Sequence, residues 1–392
     1  PGPVSELHRM FRIFLDKTPY NVKAVKVVID GKSVDGFTAI DCIGVSNSQE
    51  PIEAKINLMP NINTKLMVYR LNDLVNSTNR EIKPLMTKDK KTLYFSRRGH
   101  PENVGGEEDL EDIWYSDFDS TTLDWGQAKN IGDVLNNPDP NFISSFLQED
   151  EELIILGNQY LPGGMKYGIS KSQRISKTEW TKPNNLKIFN DLNVHRNVNF
   201  WLTPDSEILL ISEEGRGTEG GRDLYVSFLQ KDGLWTEPLH MGPVINSAGE
   251  EEGQFLMPDK KTLFFTSEGH SGYGKKDIFV TRRLDNSWTS WTEPENLGPV
   301  INTEVDDMFL FIPHDGSFAY FCREVEGNDL DIHSLTLPLV TRQLRLVTLC
   351  GTIADPETGN PLDAEVVFSR LRDGVEVGRV RTDAAGNYCI EL

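Results

Sequence analysis

Short polar turns, each followed by four or five apolar, β-prone residues, recur along this chain. Asp89 to His100 reads DKKTLYFSRRGH, and Asp259 to His270 reads DKKTLFFTSEGH, 170 residues later. That distance divides into three steps of about 57 residues, and intervening copies exist. Pro204 to Ser212 is one copy, Glu149 to Leu156 a worn one, and Pro313 to Phe321 a later one. Each predicts a β-turn feeding a buried strand. Asp89 and Asp259 are expected to bond the turn backbone. Leu263 and Phe265 alternate with Phe264 and Thr266, as in a strand packed between two sheets.

Two further elements follow each copy. The first is Asp112-Ile113-Trp114-Tyr115, with counterparts at Asp223 to Val226, Asp277 to Val280 and Asp331 to His333. The second begins at a tryptophan. Trp235-Thr236-Glu237-Pro238 leads to Met241-Gly242-Pro243-Val244-Ile245-Asn246, and Trp291 to Pro294 leads to Leu297 to Asn302 at the same spacing. Trp125 leads to Ile131 to Asn136, and Trp180 with Pro183 starts a fourth copy that drifts. Four short strands per unit of about 55 residues predict an all-β fold, a β-propeller. Five blades are expected over residues 61–340, with six as the alternative. The copy ending near His333 lacks the tryptophan element, and Leu71 to Ser77 aligns with Leu297 to Thr303. An N-terminal strand is therefore expected to complete the final blade, which removes an exposed sheet edge.

The flanks do not share the repeat. Within residues 1–60, Gly36 to Val45 (GFTAIDCIGV) resembles the last strands of a galactose-binding-like jelly roll. From residue 343, Leu349 to Asp355, Thr358 to Phe368 and Thr382 to Ile390 carry a "G-x-V-x-D…G-x-P-L" and "T-D-x-x-G-x-Y" pattern. This resembles the carboxypeptidase regulatory-like β-sandwich over residues 343–392. Two partial β-sandwich modules are thus expected to flank the propeller. The start, PGPVSELHRMF, reads as the interior of a longer protein.

The repeat itself resembles TolB-like propeller repeats. Propeller followed by regulatory-like sandwich is similar to multidomain OmpA-family envelope proteins of bacteria with type IX secretion and gliding motility. The resemblance implies a periplasmic, outer-membrane-associated scaffold that docks protein components of that machinery. Peptidoglycan would be reached through a domain this chain does not carry.

Composition and charge narrow the chemistry. The chain has 392 residues, 38% hydrophobic and 26% charged, with 40 Lys and Arg against 60 Asp and Glu, net −20. Such a surface repels phosphate backbones and anionic lipid, which disfavours nucleic-acid and membrane-surface partners. No apolar run is long enough to span a membrane. Four cysteines are too dispersed for a zinc pattern. Cys350 and Cys389 are candidates for a pair in an oxidising compartment, the alternative being small buried hydrophobes. There is no Gly-x-Ser-x-Gly elbow and no HExxH, so no catalytic residue, metal ligand or cofactor is assigned.

Three functions follow as expectations. The first is a non-enzymatic docking disc that presents Arg97, Arg98, His100, Arg216, His270 and Arg323 on one face. The second is a carbohydrate-active propeller, binding glycans or hydrolysing them with acids in a central funnel. The third is a structural repeat protein without a specific ligand. The runs Glu250-Glu251-Glu252, Asp306-Asp307 and Glu213-Glu214 are read as solvated loops. Acids converging in the channel would favour hydrolysis.

Overall fold

The computed structural model describes residues 56–60, 62, 65–147, 153–176, 179–190, 198–215, 217–218, 220–313, 316–327, 329–337, 348–356, 358–369 and 376–391. The jelly roll expected over residues 1–60 falls almost wholly outside them. The described residues hold no α-helix, only the 3-10 turn Gly106–Glu108.

Five antiparallel sheets form a five-bladed propeller. Blade 1 runs outward from Arg80–Met86 through Thr92–Arg98 and Asp112–Asp119 to the short strands Asp124–Trp125 and Lys129–Asn130. Blade 2 holds Ile143–Leu147, Leu153–Leu161, Gly164–Gln173 and Asn184–Asn185. Blade 3 holds Asn199–Leu202, Ile208–Glu213, Asp223–Phe228 and Leu239–His240. Blade 4 holds Glu251–Leu256, Thr262–Ser267, Asp277–Arg282 and Glu295–Asn296. Blade 5 holds Asp307–Phe311, Phe318–Val325 and Asp329–Thr336, and its outer strand is Val68–Arg70. Val68 pairs with Leu335 and Arg70 with His333, so the N-terminal strand closes the ring as expected. The five inner strands pack in sequence around a central channel.

Side chains that bond backbone explain why the repeat is so visible. Asp259 Oδ1 accepts from the Lys261 and Thr262 amides, both at 2.8 Å, and Asp89 Oδ1 accepts from the Lys91 amide at 3.0 Å. The asparagine ending three of the tryptophan elements clamps the third strand of its blade. Asn302 accepts from the Ile278 amide and donates to its carbonyl, both at 2.8 Å. Asn246 does the same to Leu224, and Asn136 to Ile113. Asn76 clamps Ile332, 256 residues away, which locks the two ends of the ring together.

Apolar residues between blades supply the core. Leu210 and Val226 of blade 3 pack with Leu263, Phe265 and Phe279 of blade 4, all fully or almost fully buried. Burying each such side chain contributes roughly 1.5–3 kcal/mol. Trp125, Trp180, Trp235 and Trp291 are buried in their respective blades.

A second compact unit spans the C-terminal residues. It contains two antiparallel pairs, Thr348–Thr352 with Asn387–Glu391 and Glu365–Ser369 with Glu376–Arg381. Cys350 and Cys389 stand directly opposite one another and form a disulfide. Cys322 is free and buried in blade 5.

Candidate functional site: the channel and its mouth

Each inner strand but one carries a bulge, and the bulges re-aim side chains into the channel. Pairing shifts between Ile82 and Leu85, Ile143 and Ser145, Glu252 and Phe255, and Met308 and Phe311. Lys83, Gly253 and Phe309 occupy equivalent bulge positions with φ of 57°, 61° and 56°. At Gly253 a Cβ would stand 3.2 Å from the Phe309 ring, so glycine there permits that ring's close approach.

An open pocket bounded by all five inner strands lies in the channel. Its wall is mostly aromatic and aliphatic, including Phe142, Phe200, Trp201, Phe255 and Phe309. The Lys83 ammonium sits 3.7 Å from the centre of the Phe142 ring and 2.6 Å from Glu111. Three polar atoms of this wall are buried without a hydrogen bond inside the protein: Ser144 Oγ, Trp201 Nε1 and Gln254 Oε1. Leaving such groups unpaired costs about 1–3 kcal/mol each.

Because the sheets are antiparallel, residues just before each third strand lie at the end where the inner strands begin. Glu111, Arg222 and Lys276 hold this position, and their carbonyls accept from the amides of Asn141, Glu251 and Asp307, where the next blade's inner strand begins. Arg222 bonds Glu250 at 2.7 Å and Glu252 at 3.1 Å. Lys276 bonds Glu250 at 3.1 Å and also Glu252. Burial works against the Glu252 carboxylate, but Arg222 and Lys276 outweigh it and hold its pKa far below the usual range. The same balance lowers Glu250.

Two neighbouring carboxyls behave oppositely. Glu268 stands across from Glu250, its amide bonding the Glu250 carbonyl at 3.3 Å. Burial pushes its pKa up, and the charges of Glu250, Glu252 and Asp306 add to the rise against Lys276. Asp306 is likewise raised by burial, with Glu324 and Glu252 adding to it against Lys276 and Lys275.

The acidic runs are therefore not solvated loops. Glu251 and Asp307 are 0% exposed and Glu252 5%. Glu251 accepts from Ser247 and Ser267, and Asp307 from Thr303 and Arg323. The runs look like surface in the sequence because their covering cations lie elsewhere in the chain, at Arg222, Lys276 and Arg323.

The basic residues singled out from the sequence do not assemble into one site. Arg97 is 3% exposed, bonding Glu81 at 2.7 Å and the Val75 carbonyl at 2.6 Å. Arg323 bonds Asp307 at 2.6 Å and the Ile301 carbonyl at 2.9 Å. The His270 Nε2 lies 2.6 Å from the Ile245 carbonyl, and burial lowers its pKa. His100 packs edge-on against Trp114, and Arg98 is exposed. Arg216 lies outside the described residues. Sequence reasoning missed Ser144, Asn199, Trp201, Gln254 and Glu268, and took Asp306 only as part of a solvated run. Only the acidic runs pointed near them.

Among the described residues, no group of His, Cys, Asp or Glu is arranged to hold a metal ion. No helix there is long and apolar enough to cross a membrane.

No family model and no curated protein matches the chain. Solved structures do. A protein of unknown function from Dyadobacter fermentans is 12% identical, with TM-score 0.41 over 71% of this chain and 100% of its own. The Bacteroides ovatus xyloglucan-locus protein GH43B is 15% identical, with TM-score 0.42 over 82% of this chain and 58% of its own. An α-L-arabinofuranosidase from Lactobacillus brevis is 10% identical, with TM-score 0.44 over 70% of this chain and 95% of its own. The likeness is one of fold. It nevertheless corrects the expectation of a non-enzyme, because structures similar to this propeller include named enzymes.

Proposed function

We propose that the propeller is carbohydrate-active and takes a sugar into the mouth of its channel. One observation carries this reading: a pocket bounded by all five blades is walled by the aromatic rings of Phe142, Phe200, Trp201, Phe255 and Phe309. A sugar hydroxyl both donates and accepts, and the apolar face of a pyranose stacks on aromatic rings. A phosphorylated ligand would meet the carboxylates of the mouth. The Cys350–Cys389 disulfide supports an oxidising compartment.

A docking role toward cell-envelope proteins would use the same end of the ring through Arg98 and His100. With Arg97, Arg323 and His270 engaged inside the blades, that role has fewer groups to offer.

The test is calorimetric titration of the chain with neutral di- to tetrasaccharides, followed by chromatography of each mixture for cleaved products. Saturable binding weakened by Ser144→Ala supports the reading, and cleavage would extend it to hydrolysis. Absence of binding across the panel would sink it.

A further inference from the structure

The twin stretches of blades 1 and 4 differ where Arg97 stands against Ser267, and the difference changes how each blade is latched. Near the start of their inner strands, blades 1, 4 and 5 each bury a carboxyl: Glu81, Glu251 and Asp307, all 0% exposed. Each accepts from the connector that enters its blade, through the amides of Ser77 at 2.9 Å, Ser247 at 2.8 Å and Thr303 at 2.6 Å. Directly opposite, on the second strand, stand Arg97, Ser267 and Arg323.

In blades 1 and 5 the arginine does two jobs. Its Nε donates to the acid, at 2.7 Å in Arg97 and 2.6 Å in Arg323. Its Nη2 donates to a connector carbonyl, that of Val75 at 2.6 Å and that of Ile301 at 2.9 Å. Blade 4 splits these jobs. Ser267 Oγ donates to Glu251 at 2.6 Å, and His270 Nε2 lies 2.6 Å from the Ile245 carbonyl. A carbonyl only accepts, so that nitrogen carries the hydrogen. His100 holds the same place in the twin stretch but packs edge-on against Trp114, with the Val75 carbonyl already taken by Arg97.

Blade 4 thus holds a buried carboxyl without the cation that its equivalents have, and the charges around it supply none. Arg222 and Lys276 are taken up by Glu250 and Glu252, the neighbours of Glu251 in the chain. Asp277 stands opposite Ser267 on the third strand and accepts from Asn296 at 2.8 Å. Asp223 of blade 3 is held by His240 at 2.8 Å. Glu293 acts on His270, whose ring packs against Phe265 and Phe279. Burial raises all three carboxyls. Arg97 and Arg323 work against the rise at Glu81 and Asp307, whereas only the two serines do so at Glu251, where the charge of Asp223 adds to it.

We infer that the connector between blades 3 and 4 is a pH-gated latch, shut while Glu251 holds its proton and opened when that proton leaves. Asn246 ties the same connector to Leu224 of blade 3, so the gate lies in one seam of the ring. Gly253 and Gln254 follow Glu251 on the same strand and line the channel pocket, so opening loosens the pocket wall. The other latches respond with the opposite sign. Guanidinium keeps its proton, so as pH rises Glu81 and Asp307 meet a standing cation and Glu251 meets none. The gate holds whatever the channel binds.

Hydrogen exchange of the full chain at pH 6 and pH 8.5, corrected for the intrinsic pH dependence of amide exchange, compares residues 245–256 with their equivalents 75–86 and 301–311. Opening of residues 245–256 is expected to increase about tenfold relative to the other two segments, as release of one bound proton over that range gives. Glu251→Gln keeps the hydrogen-bonding shape without a titrating group and should abolish the increase. Ser267→Arg installs the cation of blades 1 and 5 and should abolish it as well, which keeps the test open should one variant not fold. An equal increase in all three segments overturns the gate and assigns the effect to the ring as a whole. No increase at residues 245–256, or one that persists in Glu251→Gln, overturns it too.

Discussion

Asn199 donates its side-chain amide to Glu252 at 3.1 Å, and this bond joins the channel wall of blade 3 to the charged rim of blade 4. Asn199 is 7% exposed and also lines the pocket. Replacing it with alanine removes a donor to a carboxylate that keeps Arg222 and Lys276. The loss of stability should therefore be modest, about 1–2 kcal/mol. Sugar affinity should fall severalfold, because Gln254 and the rim no longer share a fixed support. Urea unfolding and calorimetry on Asn199→Ala check the two halves. An unchanged affinity would separate the channel from the rim.

Arg222→Gln is a harsher change. Arg222 is 6% exposed and bonds two carboxylates. Breaking a buried pair leaves charge uncompensated, and about 3–5 kcal/mol of stability should be lost near neutral pH. The pH dependence has a definite sign. Glu252 has a folded pKa below its ordinary value of 4.5, so its contribution is complete above that value and disappears as pH falls through the folded pKa. Removing Arg222 raises the folded pKa, so acid unfolding should begin at a higher pH in the variant. Unfolding followed from pH 7 to pH 2 for both proteins reads this directly.

The contrast between repeat and rim explains what could be read from the sequence. Asp89, Asp259, Asn246 and Asn302 were legible because a side chain that bonds backbone must be a particular residue at a particular spacing. The alignment of Leu71 to Ser77 with Leu297 to Thr303 located the ring closure for the same reason: Asn76 and Asn302 do one job. The channel obeys no such rule. Its equivalent bulge positions carry Lys83, Gly253 and Phe309, which share a backbone conformation and nothing else. The rim was hidden differently. Glu250 to Glu252 look solvent-facing until folding brings Arg222 and Lys276 over them. Arg97 and Arg323 look free until Glu81 and Asp307 are found beside them.

Glu251 makes a separate pH prediction. It is 0% exposed, with Ser247 and Ser267 as its partners, and burial pushes its carboxyl up to about 7. Between its ordinary value of 4.5 and about 7, the folded state holds the proton more tightly than the unfolded chain. Stability from this group is thus full at low pH and lost as pH rises through that window, by about 3 kcal/mol. Glu251→Gln keeps the hydrogen-bonding shape and removes the titration. The variant should show a flatter stability profile between pH 5 and pH 8 and gain on the wild type at the upper end. Parallel denaturant curves at the two pH values decide it. A variant with the wild-type slope would mean that Glu251 titrates normally.

Reduction should act on one unit alone. The Cys350–Cys389 disulfide closes a loop with a sequence separation of 39, which stabilises by roughly 4 kcal/mol on the chain-entropy account. Both cysteines are exposed, whereas Cys322 in the propeller is buried and unpaired. Adding dithiothreitol should lower the unfolding temperature of the C-terminal unit and leave that of the propeller in place. Scanning calorimetry with and without reductant separates the two transitions. A shift of the propeller transition would show that the two units unfold together.

Asn76 offers the sharpest test of how the ring is held. Its side chain accepts from the Ile332 amide at 2.8 Å and donates to the Ile332 carbonyl at 3.0 Å, across the gap between the first and last strands of the propeller. Asn246 makes the same clamp on Leu224, but there the clamped strand belongs to a blade of continuous chain. Alanine at either position strands one buried amide, at a cost of about 1–3 kcal/mol, because each carbonyl keeps a backbone donor, Leu71 on Ile332 and Met241 on Leu224. Only at position 76 does the loss fall on the closure itself, where Val68–Arg70 holds on by three paired residues. Hydrogen exchange in Asp329–Thr336 should therefore accelerate strongly in Asn76→Ala. In Asn246→Ala the acceleration should stay within Asp223–Phe228. Equal, local effects in the two variants would mean that blade packing, not the clamp, keeps the ring shut.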